Sequence, residues 1–365
     1  MLKCNYAIVP LPPIAEIETR ATLRAAAEAH KFLGEVKGLA ASIPNQGILI
    51  DTLALQEAKA SSEIENIVTT QDELFQAEIF AESAASSAAK EVALYRDALH
   101  LGFKGMLDAQ GLITNNLLIS IFRQLKRNSG GFRRTLGTAL KNDRTGEIVY
   151  VPPQTEDEII RHMTQLEQFI NQDDLSDLDP LIKMALIHHQ FESIHPFPDG
   201  NGRIGRILNV LYLVRSGLLD IPTLYMSRYI NQTKSDYYHL LQAVRDDGLW
   251  EAWVLYILKG VAETSKSTLK LIEGIRNLMS SYKQGIREEI PKIYTQDLLN
   301  NIFRHPYTRI EYLQSDLNLS RPTATKQLDL LASAGFLQKR KSGRSNYYIN
   351  TRLLQLFLDI SGGEA

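Results

Sequence analysis

Apolar residues recur at helical spacing over most of the chain, which predicts a mainly α protein. From Ile14 to about Leu101 the sequence is rich in Ala, Leu and Glu with that spacing, and Pro44, Asn45 and Gly47 break it into several helices. Ahead of them, Pro10, Pro12 and Pro13 favour an extended arm across the surface. A different pattern occupies Gly130 to Pro153. Thr138 to Leu140 and Ile148 to Val151 are short strand-like runs flanking Asn142, Asp143 and Gly146, which predicts a β-hairpin. Asp179 and Pro180 then form an N-cap and first-turn pair for the apolar helix LIKMALIHHQFESI, and a glycine-rich loop leads into a second helix, IGRILNVLYLVRSG. Helical patterning continues through Tyr237 and Trp253 to about Lys270. A looser segment reaches Pro291, where the last domain boundary is placed, and from Thr295 to Asn350 the order is helix, turn, helix and two short strands.

Composition narrows the setting without changing this outline. Charged residues make up 22% and hydrophobic ones 44%, so a sizeable core is available. A formal net charge of −2 gives no whole-molecule field for nucleic acid or anionic membrane, and such binding would need a local patch. The single cysteine, Cys4, cannot form an intramolecular disulfide or a cysteine-rich metal cage, which fits a reducing compartment, the cytoplasm by default. The first residues, MLKCNYAIVPLPPIAEIE, are interrupted by prolines and turn acidic, unlike a secretory leader, and no stretch has the length of a membrane span.

The loop between the two apolar helices carries the candidate chemistry. Asp199-Gly200-Asn201-Gly202 leaves its own N–H groups and those of the next helical turn free to point at an anion, and the glycines permit a tight backbone. Arg203 and Arg206 lie three apart on the following helix and could clamp further phosphate oxygens. Asp199 offers a hard oxygen to Mg²⁺, whose remaining ligands come from substrate phosphates. His195 has the acidity of a general base for an incoming hydroxyl. Each of these residues taken alone reads as ordinary structure: a capping histidine, a solvated turn, a charged helix face. Together they supply the base, metal ligand and phosphate donors of a nucleotidyl transfer. A metal cluster of His188, His189 and His195 is disfavoured, because adjacent histidines on a helix point about 100° apart.

Residues 195–206, HPFPDGNGRIGR, resemble the signature of the Fic family, His-x-Phe-x-(Asp/Glu)-Gly-Asn-Gly-Arg-x-x-Arg, at every fixed position. The resemblance implies a Fic-type helical bundle that moves AMP from ATP to a Ser, Thr or Tyr hydroxyl of a protein. His195 would deprotonate the hydroxyl, Asp199 would hold Mg²⁺ or Mn²⁺, and Phe197 would anchor the loop. Gly200 to Gly202, with the Asn201 side chain, would form the anion hole for the α-phosphate, and Arg203 and Arg206 would hold the β- and γ-phosphates. Glycine at 202, where phosphate-transferring relatives carry lysine, favours AMP transfer. The hairpin at about 137–153 resembles the family's flap, along which the target docks as an added strand. Tyr237 and Tyr238 fall where the family packs an aromatic on adenine, Tyr238 being preferred, with core packing of both as the alternative.

Ser61-Ser62-Glu63-Ile64-Glu65-Asn66 resembles the family's inhibitory helix, (Ser/Thr)-x-x-x-Glu-(Gly/Asn), matched at Ser61, Glu65 and Asn66. Glu65 would pair with Arg206 and take it from the γ-phosphate. Whether Glu65 also serves removal of AMP stays open. Residues 295–350 resemble a winged helix, and 301–350 hold eight Lys or Arg against three Asp or Glu. Ser320 would cap its second helix; Arg321, Thr323, Thr325 and Lys326 could face a major groove, and Lys339 to Arg344 would form the wing. DNA and protein contact stand as equal possibilities. The outline is therefore an N-terminal helical region (1–101) with the inhibitory segment 61–66, a Fic catalytic domain (102–270) and a winged helix (291–365). A homodimer is expected, without an identified interface. The rival reading is a nucleotide-sensing regulator that reads DNA.

Overall fold

The computed structural model describes residues 7–70, 86–141, 145–342 and 345–362 of the 365-residue chain. Asn142 and Asp143 of the expected hairpin, and Gly343 and Arg344 of the expected wing, lie outside the described residues. By contacts the chain divides into two compact units. One comprises residues 1–34, 57–67 and 94–265, the other 35–56, 68–93 and 266–365.

The N-terminal helices are α1 (Arg20–Ala41), α2 (Gly47–Ile64) and α3 (Ser87–Asp108). The break around Pro44 falls between α1 and α2, where the Asn45 side chain accepts from the Gly47 N–H at 3.0 Å. Next come α4 (Asn115–Lys126) and the hairpin of β1 (Leu140–Lys141) and β2 (Ile148–Tyr150), paired antiparallel with Leu140 opposite Tyr150. The ladder is shorter than expected and Thr138 lies outside it. The Gln154 side chain takes over there, donating to the Thr138 carbonyl at 3.0 Å and accepting from the Gly137 N–H at 2.8 Å.

Helix α5 (Glu156–Asn171) opens on a capping box between Thr155 and Glu158. Two helices, α6 (Pro180–Ile194) and α7 (Asn201–Arg215), form the centre of the first unit. Asp179 caps α6 as expected, with its carboxylate accepting from Leu181 N–H at 2.9 Å. Every residue of α6 from Leu181 to Ile194 is buried, so α6 shows no apolar stripe: it is enclosed on all sides. The unit continues through α8 (Ser227–Gln232) and α9 (Lys234–Asp247) into the start of α10 (Trp250–Glu289), whose buried Trp253 donates its indole N–H to the Ala185 carbonyl at 2.8 Å.

The looser segment expected between Lys270 and Pro291 is instead the second half of the 40-residue helix α10. Gly274, Ser280, Ser281 and Gly285 weaken its helical propensity, but Ile272, Ile275, Met279, Tyr282 and Ile286 are buried at alternating steps of three and four, and packing decides the outcome. The glycines serve that packing. A Cβ at Gly285 would meet the Phe336 ring at 2.9 Å, and one at Gly274 would meet Leu356 at 2.6 Å.

The second unit then runs α11 (Gln296–Arg304), β3 (Tyr307–Arg309), α12 (Ile310–Leu317), α13 (Arg321–Ser333), β4 (Gln338–Ser342), β5 (Ser345–Ile349) and α14 (Thr351–Gly362). Its antiparallel sheet has the order β3-β5-β4. Strand β3, absent from the sequence reading, is too short for an alternating pattern to register. Ser320 caps α13 as expected, accepting from the Thr323 N–H. Buried Tyr282 donates to the Phe336 carbonyl at 2.8 Å and Asn350 donates to the Ile302 carbonyl at 3.2 Å, so polar groups as well as apolar ones fix this core. Among the described residues, no helix is long and apolar enough to cross a membrane.

Candidate active site

The site lies on the loop from α6 to α7. His195 ends α6 in the left-handed conformation (φ 50°), unusual for a residue with a Cβ, and its N–H still closes the last turn onto Phe191 O at 3.0 Å. Burial first, then the cationic Arg133 and Arg245, push its imidazole down to about 3. The ring is therefore neutral at physiological pH, as a general base must be. Phe197 is fully buried, stacked on Phe122 at 4.6 Å between centroids, so the loop is pinned from below as expected.

Asn201 is engaged within the loop itself. Its side-chain amide donates to the Phe197 carbonyl and accepts from the Phe197 N–H, both at 2.8 Å. With its oxygen and one N–H committed to the Phe197 backbone, the amide shapes the loop and keeps a second N–H, while the backbone N–H groups at the start of α7 offer further donors to an anion. Gly200 precedes that helix at φ 80°, the left-handed region that glycine enters without penalty.

Arg203 and Arg206 are both almost wholly buried along α7. Arg206 Nε donates to Ser61 Oγ at 2.8 Å, and Nη2 donates to the Ser61 carbonyl and to Glu65 Oε1, each at 2.9 Å. Burial alone would favour loss of its proton; Glu65 overrides that and holds the guanidinium charged. The expected Ser61, Glu65 and Arg206 are thus brought together. Gly202 makes the approach possible, because a Cβ there would lie 2.6 Å from Glu65 Oε1 and 3.0 Å from Arg206 Nη1. Asn66 ends α2 in the left-handed conformation (φ 62°), which explains a Gly or Asn at this place. Lys234 fastens this end, donating to the Ile64 carbonyl at 2.6 Å and to Asn66 Oδ1 at 3.4 Å.

Asp199 is largely exposed and forms an ion pair with Lys126. Burial tends to raise its pKa, but the Lys126 hydrogen bond and charge outweigh this, and the carboxyl is held below its usual value. A lone ionised carboxylate beside a phosphate cradle suits Mg²⁺, which takes one or two protein oxygens and completes its shell with phosphates and water. Lys126 would have to yield to it. The histidine cluster fails on geometry: Asn209 donates to His188 Nδ1 at 3.1 Å and His188 Nε2 lies 2.9 Å from the Tyr237 hydroxyl, so both ring nitrogens are occupied. Among the described residues no group of three His, Cys, Asp or Glu is arranged for a metal. The two tyrosines separate. Tyr237 is buried against Trp253, while Tyr238 is 46% exposed and meets Tyr237 edge-on at 5.2 Å.

Several groups here had no distinctive sequence pattern. Glu57, fully buried, accepts from the Tyr95 hydroxyl at 2.9 Å and from the Ser227 hydroxyl, and burial pushes it up to about 7. Glu192 is likewise pushed up to about 7 by burial, with Arg206 opposing. Arg133 is buried beneath the loop and bonds the His195 carbonyl at 2.8 Å. Helical periodicity marks such residues as polar and cannot say that they face inward.

The site thus joins a neutral histidine at the end of α6, a short loop, and a helix N-terminus followed by two buried arginines on α7. Three family models match the chain in succession: Fic/DOC family N-terminal over residues 23–104, Fic/DOC family over 112–213, and the C-terminal domain of SoFic-like protein adenylyltransferases over 278–353. The chain belongs to the Fic/DOC family. It is similar to the protein adenylyltransferase Fic of Drosophila virilis, 33% identical over 122 residues, which is 33% of this chain and 23% of that protein. A probable protein adenylyltransferase of Aquifex aeolicus is 48% identical over 54 residues, 15% of this chain and 17% of its own. These matches span less than a quarter of either relative. Among solved structures, a Fic family protein from Desulfovibrio desulfuricans shares the fold with a TM-score of 0.58 at 19% identity, covering 93% of this chain and 98% of that one. Residues 134–508 of Fic-1 from C. elegans give 0.54 at 19%, covering 68% and 71%.

Proposed function

We propose that this chain is a protein adenylyltransferase that moves AMP from ATP to a Ser, Thr or Tyr hydroxyl of a target protein, itself included. The observation that carries the reading is one short loop joining a neutral imidazole to an open helix N-terminus backed by two buried arginines. In this mechanism His195 takes the proton of the target hydroxyl. The freed oxygen attacks the α-phosphorus of ATP, the bond from that phosphorus to the β-phosphate's bridging oxygen breaks, and pyrophosphate leaves. The N–H groups at Gly200 to Gly202 stabilise charge on the α-phosphate, Arg203 and Arg206 hold the β- and γ-phosphates, and exposed Tyr238 supports adenine. Asp199 would hold Mg²⁺, which supplies charge neutralisation to the polyphosphate. The hairpin 137–153 docks the target segment, and a cytoplasmic setting and a second copy of the chain belong to the same reading.

Regulation follows from Arg206. While Ser61 and Glu65 hold its guanidinium, the γ-phosphate lacks its partner, so Glu65 acts as a brake. The alternative, a nucleotide-sensing regulator that reads DNA, draws on exposed Arg321 and Lys326 of α13 and on Lys339, Arg340 and Lys341 of β4. Two of those cations lie beside carboxylates, Arg321 with Glu311 at 3.3 Å and Lys339 with Asp329 at 2.6 Å, as exposed pairs that a phosphate backbone could replace.

The test follows label from α-labelled ATP with Mg²⁺ into protein for the wild type, Glu65→Gly, His195→Ala and the double variant. Labelling should rise with Glu65→Gly and vanish with His195→Ala in both backgrounds. ATP binding without label in any variant or in lysate proteins would instead make the sensing regulator the better reading.

A further inference from the structure

Helix α6 ends at the general base, and an α-helix leaves its last carbonyls without partners of its own. Here those of Ser193, Ile194 and His195 are all taken by side chains from the segment that runs into and through the hairpin. The Tyr150 hydroxyl, on β2, donates to the Ser193 carbonyl at 2.8 Å. Arg133 donates from Nη2 to the Ile194 carbonyl at 3.5 Å and from Nε to the His195 carbonyl at 2.8 Å. The same Nη2 bonds the Pro153 carbonyl at the end of the hairpin, and the Arg133 N–H donates to the Pro196 carbonyl at 2.8 Å. The Arg245 guanidinium closes the arrangement, stacked 4.1 Å over the Tyr150 ring and donating to Ser193 Oγ at 3.0 Å.

Arg133 is only 2% exposed, so its charge is carried inside the protein by backbone carbonyls rather than by a carboxylate. That is a poor arrangement for stability alone, since burial disfavours the charged form. It does fix geometry. A planar fork that reaches Pro153 on one side and His195 on the other holds two segments in one register, and helps keep His195 in a left-handed backbone conformation that disfavours non-glycine residues.

We infer that Arg133 is a positioning residue that couples the hairpin to His195, so that the segment docking the target and the group deprotonating it move as one body. The inference rests on the adenylyl-transfer reading for its catalytic consequence, but not for the coupling itself. The full-length Glu65→Gly protein is the parent, compared with Arg133→Gln, Arg133→Lys and the milder Tyr150→Phe, which deletes a single hydroxyl. Self-labelling rates, ATP affinity and amide hydrogen exchange of residues 148–153 and 193–197 are measured on each.

Arg133→Gln should lower the rate at saturating ATP by about 10- to 100-fold, the scale of a misplaced reacting group. ATP affinity should stay within about twofold of the parent, because Arg133 lies outside the phosphate cradle, and Arg133→Lys should recover part of the rate. Exchange should quicken in both segments together, with Tyr150→Phe showing the same paired change more weakly. A rate within about twofold of the parent, or faster exchange in one segment only, would overturn the inference. Should the Glu65→Gly parent itself transfer no label, the adenylyl-transfer reading falls, while paired exchange still decides the coupling.

Discussion

The same chemical pair, an arginine with a glutamate, occurs in both units. In the first, Arg206 meets Glu65 at 2.9 Å with the guanidinium 3% exposed. In the second, Arg321 meets Glu311 at 3.3 Å with both side chains more than half exposed. The exposed pair is screened by water and salt, and whatever it gains is largely offset by holding two long side chains in place. The buried guanidinium has lost its hydration and depends on its partners, so removing Glu65, itself 34% exposed, leaves an Arg206 charge that water scarcely reaches. Pairing alone therefore says little. Enclosure turns the Arg206 pair into a device whose opening has consequences for anything that competes for the guanidinium.

Four experiments sharpen or break this contrast. In the Glu65→Gly background, His195→Ala should lower labelling by about 10²- to 10⁴-fold, the usual contribution of a general base, whereas Arg321→Ala should leave the labelling rate unchanged. Next comes stability. Arg206→Ala should cost about 3–5 kcal/mol in urea unfolding, since Glu57, Glu65 and Glu192 all lose their common cation, while Arg321→Ala should stay within about 0.5 kcal/mol of the wild type. Similar losses in the two variants would remove the distinction.

A smaller effect should follow pH. Glu192 titrates near 7 in the folded protein against 4.5 in the unfolded chain, so the folded state holds the extra proton between these values. The stability linked to that proton is complete below about pH 4.5 and is lost as pH rises through 7. Glu192→Gln should therefore gain on the wild type between pH 5 and pH 8, by about 2 kcal/mol at most, and a constant difference across that range would contradict the assignment. The smallest effect concerns Gly202. A Cβ there crowds Glu65 Oε1, so Gly202→Ala should cost about 1 kcal/mol in the wild type and markedly less after Glu65→Gly, a coupling that a double-mutant cycle reads directly.

Much of this was legible beforehand where chemistry is local. Asp179 caps α6, Gly200 adopts a positive φ, Ser320 caps α13, and each is a decision between neighbours in the chain. Reading failed where distant packing decides. The serines and glycines beyond Lys270 suggested a loose segment, yet buried residues on one face hold α10 straight through it. The bracing of Phe197 by the Asn201 side chain was not foreseen, and the choice left open at Tyr237 between adenine and core packing goes to the core, where Trp253 and His188 enclose it. Arg133 sits in an unremarkable GGFRRTLG run, and its adjacent arginine, Arg134, is exposed and paired with Glu156, so the string offered no way to choose between them.

The mainly helical class, the helix–loop–helix that bears HPFPDGNGRIGR, and the residue types able to serve as base, metal ligand and phosphate donors follow from the amino-acid order alone, because capping, turn formation and donor inventory depend on residues a few positions apart. Which of those groups are neutral, which are enclosed and which already have partners was settled by folding. Desolvation and long-range hydrogen bonds set those properties, and both arise only when residues as far apart as Ser61 and Arg206, or Arg133 and His195, are folded into contact.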